Sequence, residues 1–179
     1  MRDISYRVAL GGIVSALCLV TMFLAGILPA LYLLLPAIAG ILMMMIAIEV
    51  SSSWAVMTYI SVSLLSMIIT FDKEAALIFI MFFGHYPILR RYIIKLRPKL
   101  ISWIVKFAVF NSCILGYFFV TVYIFGLDQM VDELHEYGKY GEYFILGLCN
   151  ILFILYDIDL DLIYNTYIKR LAPKFKRKR

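Results

Sequence analysis

Hydrophobic residues dominate this chain in long runs that polar residues rarely interrupt. Residues 8–48 include no Asp, Glu, Lys or Arg, and this run is about twice the length that a helix needs to cross a hydrocarbon core of about 30 Å. Pro29 and Pro36 interrupt the run, so it predicts two spans joined by a tight, uncharged turn. Because the apolar positions are continuous rather than alternating, the pattern indicates membrane-spanning helices and excludes a barrel.

The same pattern along the whole chain predicts an all-α, polytopic membrane protein with a single domain of six transmembrane helices. The predicted helices cover residues 7–28, 33–50, 53–70, 75–91, 101–126 and 141–166, and a basic tail follows at residues 169–179. Ser51 to Ser53 form a capping cluster before the third helix, and Asp72 is placed to cap the fourth. Pro87 lies late in the fourth helix, which we expect it to kink or to end.

The cations are unevenly distributed among the predicted loops. Of the 17 Lys and Arg residues, all but Lys73, Lys106 and Lys139 lie around the start of the first helix, between the fourth and fifth helices, or after the sixth. Since cations are retained on the cytoplasmic side, both termini are predicted to be cytoplasmic. Topology and contact with lipid headgroups explain the net charge of +5, so no nucleic-acid partner is predicted.

The predicted outer loop at residues 127–142 is acidic and carries apolar residues at helical spacing. This pattern is typical of a short amphipathic helix that lies on the outer surface of the membrane. Two interpretations remain open at this point, a solvated connector and a gating lid.

Polar groups inside the apolar segments are candidates for function, because burial in lipid is costly without a partner. Asp157 and Asp161 lie one turn apart in the sixth helix, at a depth that Lys106 of the fifth helix can reach. We predict a structural ion pair between Lys106 and one of these carboxylates, with a proton or cation relay as the alternative. Asn111 and Asn150 are predicted to form hydrogen bonds between helices, each contributing about 0.6 kcal/mol, with ligand binding as the alternative.

The predicted ion pair has a direct test. Replacing Lys106 with Met should destabilise the protein, because a carboxylate would be left without its counter-charge. Neutralising Asp157 in the same chain should restore stability. An unchanged melting temperature of the Lys106→Met variant in detergent would contradict the pair.

The sequence shows no catalytic constellation. It has neither a phosphate-binding glycine loop nor an HExxH motif, and it has no serine with a histidine base within reach. His85 has no His, Cys or carboxylate three or four residues away, and Cys18, Cys113 and Cys149 are scattered in apolar runs. We therefore predict no enzyme, no metal site and no cofactor.

The first helix carries a stripe of small residues. Gly12 and Ala16 form a small-xxx-small motif, and Gly11 and Ser15 form a second one beside it. Such stripes allow another helix to approach closely. The partner helix could belong to this chain or to another protein.

The predicted arrangement resembles the S component, the substrate-binding membrane subunit of energy-coupling factor (ECF) transporters. The shared features are six helices in 179 residues, cytoplasmic termini, the small-residue stripe and the Pro-bounded turn after it. The local strings are similar to a branch of S-component-like membrane proteins of Gram-positive bacteria. The strings that carry the similarity are Leu35-Pro36-Ala37-Ile38-Ala39-Gly40, Asp72-Lys73-Glu74-Ala75-Ala76, Gly84-His85-Tyr86-Pro87-Ile88-Leu89 and Tyr156-Asp157.

The resemblance implies a subunit of the bacterial cytoplasmic membrane that binds an unidentified small solute from outside. A membrane-embedded T component and two ATPases would supply the energy, and Gly12 and Ala16 would dock on the T component. The implied solute-binding residues are Tyr32, Asp72, Lys73, Glu74 and Asn150. The alternative is a membrane scaffold, similar to the small rod-shape-determining membrane proteins, that recruits a cytoplasmic partner and binds no small molecule.

Overall fold

The computed structural model describes residues 4–124, 126 and 141–171, and every regular element in this part of the chain is a helix. The all-α prediction is therefore confirmed for these residues. The helices are α1 (Ile4–Ala25), α2 (Leu34–Glu49), α3 (Ser52–Ile69), α4 (Lys73–Ile78), α5 (Tyr86–Ile93), α6 (Lys99–Phe119) and α7 (Gly141–Thr166). A 3-10 turn lies at Pro29–Leu31, and π-helical turns lie at Phe79–Phe83, Val120–Ile124 and Tyr167–Leu171.

The described residues belong to two compact units. The first unit ends at Leu127 and contains α1 to α6, whereas the second begins at Asp128 and contains α7. The predicted amphipathic segment at 127–142 falls almost entirely outside the described residues, as do residues 172–179 of the predicted tail.

Four helical segments are long and apolar enough to cross a membrane. They are Ile4–Ala25, Ser52–Ile69, Lys99–Tyr123 and Tyr143–Lys169. The helix α2 is equally apolar but has only 16 residues, a length of about 24 Å. These lengths and compositions are those of a membrane protein.

The core of the first unit forms where α1, α2 and α3 pack on one another. Cys18 and Met22 of α1 and Met43 of α2 are completely buried there. Ala39 and Ala55 let the helices approach closely, and the Cys18 thiol donates to the Ala39 carbonyl at 3.6 Å. Packing of this kind supplies the association energy that the hydrophobic effect does not supply in lipid.

Two predicted helix caps are confirmed. The Ser51 hydroxyl accepts a hydrogen bond from the Trp54 amide at 3.3 Å. The Asp72 carboxylate accepts from the amides of Glu74 and Ala75 at 2.9 and 3.2 Å. Both caps satisfy amides that have no partner inside their own helix.

The predicted fourth helix is broken into two pieces directly before Pro87, so the helix is interrupted there and Pro87 does not mark its last turn. The chain leaves α-helical geometry at Phe79–Phe83, where the Gly84 amide donates to the Phe79 carbonyl at 2.7 Å. Pro87 then lies in the first turn of α5, where its missing N–H costs no hydrogen bond. The break therefore precedes Pro87, and the helix continues to Ile93.

The π-helical turn also creates a tertiary hydrogen bond. An α-helix would pair the Ile80 carbonyl with the Gly84 amide, which here bonds Phe79 instead. The Tyr59 hydroxyl of α3 donates to this Ile80 carbonyl at 2.7 Å. The hydrogen bond thus ties the irregular backbone of the turn to α3.

At the opposite end of α5, an arginine caps a neighbouring helix. Arg91 Nη1 donates to the Ala47 carbonyl in the last turn of α2 and lies 3.5 Å from the Ser52 hydroxyl. A cation at this position also complements the negative end of the α2 dipole. The contact connects the end of α5 to the junction between α2 and α3.

Candidate functional site

One end of the first unit gathers most of the residues predicted to bind a solute. We call it the acidic end and define it as residues 26–33, 70–74 and 117–121. The chain is tightly packed here, because a Cβ added to Gly26 would lie 2.9 Å from the Phe71 amide nitrogen and 3.1 Å from that of Asp72. The turn after α1 therefore lies directly against the connection between α3 and α4.

Tyr117 of α6 lies at the centre of the acidic end. Its side chain is only 7% exposed and lies within electrostatic range of Glu74, Tyr32 and Asp72. The structure thus brings together three of the predicted residues, which come from two separate connections. Tyr117 was not among the predicted residues, because α6 carries other polar residues, such as Lys106 and Asn111, that mask its hydroxyl as a signal.

Two buried threonines belong to the same end. Thr70 ends α3 and Thr121 lies one turn beyond Tyr117, and both are almost completely buried. The Thr70 hydroxyl has no hydrogen-bond partner among the described residues. An unsatisfied buried hydroxyl costs free energy, so it is a group that a bound polar molecule would stabilise.

Asp72 and Lys73 have structural roles in addition to any role in binding. Asp72 caps α4, and the Lys73 ammonium donates to the carbonyls of Met67 and Thr70 at 2.8 and 2.9 Å. Lys73 therefore satisfies the last carbonyls of α3. Tyr32, at 41% exposure, is the most open of the predicted solute-binding side chains.

The two asparagines form hydrogen bonds within their own helices. The Asn111 amide donates to the Phe107 carbonyl at 2.9 Å, and the Asn150 amide donates to the Leu146 carbonyl at 2.8 Å. Asn150 belongs to the second unit. Its predicted place in the solute site and the predicted hydrogen bonds between helices stay predictions.

The charged residues of the predicted ion pair are both buried. Lys106 is 5% exposed, and its ammonium lies 4.7 Å from the centre of the Trp103 ring, a favourable cation–π distance. Asp157 is 1% exposed and shares a buried stripe of α7 with Phe153, whereas Asp161 is exposed. Lys106 belongs to the first unit and Asp157 to the second, and their pairing stays a prediction.

The two small-residue motifs of α1 have different environments. Gly11 is buried, and its carbonyl accepts a hydrogen bond from the Ser15 hydroxyl at 2.7 Å. Gly12 and Ala16 are exposed, and a Cβ added to Gly12 would meet no described atom within 4 Å. Ile13, beside Gly12, is 60% exposed. Gly12 and Ala16 therefore do not serve packing within the described chain.

Comparison with known proteins supplies no relative. No protein-family model, curated protein or solved structure matches the chain. The residues that the structure describes define the class as a helical, apolar protein of membrane type.

Proposed function

We propose that this chain is the solute-binding membrane subunit of an ECF-type uptake transporter, working with a T component and two ATPases. The observation that carries the proposal is the open stripe of Gly12 and Ala16 on α1. A surface that faces only lipid gains nothing from small residues, whereas a second helix approaches most closely where side chains are smallest. The exposed apolar neighbours Ile13, Leu17 and Val20 extend the surface on which that helix would pack.

The proposal includes six membrane spans with both termini in the cytoplasm. The four long helices supply four spans, α2 supplies one, and α4 with α5 supplies the sixth. The short α2 packs against α1, α3 and α5. The cluster of cations at residues 90–99 supports a cytoplasmic location for that connection, which would place the acidic end outside.

The acidic end is the proposed binding site for the solute. Binding sites combine a mostly apolar lining with a few converging polar groups. Here Tyr32 and Glu74 lie within electrostatic range of Tyr117, and the buried Thr70 hydroxyl offers an unused hydrogen-bonding group. Asp72 and Lys73 also stabilise this site, because their hydrogen bonds to the helix ends hold the connection between α3 and α4 in place.

A thermal-shift screen tests this site. A solute at a hundred times its Kd should raise the melting temperature of the purified chain by roughly 5–10 °C, because it binds only the folded state. Tyr32→Ala and Glu74→Gln should each reduce the shift, whereas Tyr92→Ala should keep it, since Tyr92 is an exposed tyrosine in the last turn of α5. A shift of equal size in wild type and Tyr32→Ala would contradict the site.

A membrane scaffold is the second candidate, favoured by the structural use of Asp72 and Lys73 as helix caps. In that function the exposed residues Lys95, Arg97 and Lys99 would recruit a cytoplasmic partner. A chain whose melting temperature ignores every solute, and which co-purifies with a cytoplasmic protein through this loop, would be a scaffold.

A further inference from the structure

The fold brings the imidazole of His85 into contact with the thiol of Cys113. His85 lies in the turn before α5, and its Nε2 atom is 3.7 Å from the sulfur of Cys113 in the middle of α6. Both side chains are half-buried, and Cys113 is a free thiol. An imidazole and a thiol from separate helices thus meet within the apolar part of the first unit.

A thioether lies on the same stretch of these two segments. Met81 belongs to the π-helical turn, four residues before His85, and Gly116 follows Cys113 by one turn of α6. A Cβ added to Gly116 would lie 2.8 Å from the terminal methyl of Met81. The absence of a side chain at Gly116 therefore lets Met81 lie against α6 one turn from Cys113.

We propose that His85 and Cys113 bind a monovalent copper ion, Cu(I), with Met81 as a third ligand. Metal–nitrogen and metal–sulfur bonds of about 2.0–2.1 and 2.3 Å, at an angle near 120°, place the two ligand atoms about 3.7 Å apart. The observed separation of 3.7 Å, which is also that of the hydrogen bond between the thiol and the imidazole, equals this value.

The chemistry of the ligands selects the ion. Thiolate and thioether sulfur are soft ligands that favour Cu(I). A single thiolate neutralises a monovalent ion, whereas a divalent ion would leave a net positive charge at low dielectric, which is costly. Structural zinc needs four strong ligands. Among the described residues, no three His, Cys, Asp or Glu side chains lie close enough together to hold a metal ion.

Binding exchanges a proton for the metal. The S–H bond of Cys113 breaks, a sulfur–copper bond forms, and the proton leaves to solvent while copper stays monovalent. The apparent affinity should therefore rise about tenfold for each unit of pH while the free thiol is protonated. This site is independent of the proposed transport function, because it uses no residue of the acidic end or of the α1 stripe.

The test titrates the full purified chain with Cu(I) under anaerobic conditions, against the colorimetric chelator bicinchoninate. We expect one equivalent to bind, with release of one proton. Cys113→Ser and His85→Gln should each weaken binding by about 100-fold or more, since losing a direct ligand should cost at least as much as the roughly 10–100-fold lost when a residue that only supports a ligand is changed. The matched controls Cys18→Ser and Cys149→Ser should bind as wild type does.

Two results would overturn the copper site. One is equal affinity of wild type and Cys113→Ser, and the other is an equal loss in Cys149→Ser. If Cys113→Ser fails to fold, X-ray absorption of copper-loaded wild type decides the question. Scattering from one nitrogen and one or two sulfur ligands supports the site, and scattering from oxygen or nitrogen alone contradicts it.

Discussion

Replacing Gly84 with alanine should destabilise the protein by about 1–3 kcal/mol, the usual cost of overpacking a core. The added Cβ would lie 2.6 Å from two ring carbons of Tyr59 and 3.0 Å from the Phe79 ring. Gly84 has ordinary helical dihedral angles, φ −72° and ψ −41°, so the cost comes from steric overlap and not from the backbone. The Tyr59 ring is held by its hydrogen bond to Ile80 and cannot rotate away without losing it. Unfolding of the detergent-solubilised chain would measure the loss.

Gly12→Ala is the matched control for this substitution. No described atom lies within 4 Å of the position of its Cβ, so this chain should be at least as stable as wild type, by up to about 1 kcal/mol, because alanine is the better helix former. In a Tyr59→Ala background, the cost of Gly84→Ala should largely disappear, because the two changes act through one contact. Equal stability of the Gly84→Ala and Gly12→Ala chains would contradict the close approach of α3 to the π-helical turn.

Replacing both Gly12 and Ala16 with leucine should abolish assembly with the transport partners and leave the isolated chain folded. Two leucine side chains would fill the open stripe and keep a partner helix from close approach. The chain would be co-expressed with the T component and ATPases of its host and purified through its own affinity tag. The amount of each partner recovered, relative to wild type, measures assembly.

A control on another helix separates a specific effect from added bulk. Gly147 of α7 is also exposed, with no described atom within 4 Å of a Cβ placed there, so Gly147→Leu should leave assembly unchanged. Full assembly of the double-leucine chain would refute docking through α1. A collapse of its melting temperature would show instead that the stripe serves internal packing. Neither result depends on the identity of the solute.

The local features of this protein follow closely from short stretches of its sequence. The continuous apolar runs indicated helices of membrane type, and the caps at Ser51 and Asp72 lie where their residue types and neighbours predicted them. Both depend on interactions between residues close in the chain, such as a carboxylate and the amides two and three positions later. The π-helical turn at Phe79–Phe83 was not predicted, and its Ile80 carbonyl accepts a hydrogen bond from Tyr59 of another helix.

Arrangements between helices could not be derived in the same way. Gly11 and Gly12 are adjacent in the chain, yet one is buried and the other exposed. The placement of Tyr117 within electrostatic range of Tyr32 and Glu74, and the contact of His85 with Cys113, likewise required the packed helices. The physical reason is the solvent. In a membrane, the helix face that packs on protein and the face that meets lipid are both apolar. Hydropathy therefore predicts that a helix lies in lipid, but it does not predict on which side its neighbouring helices pack.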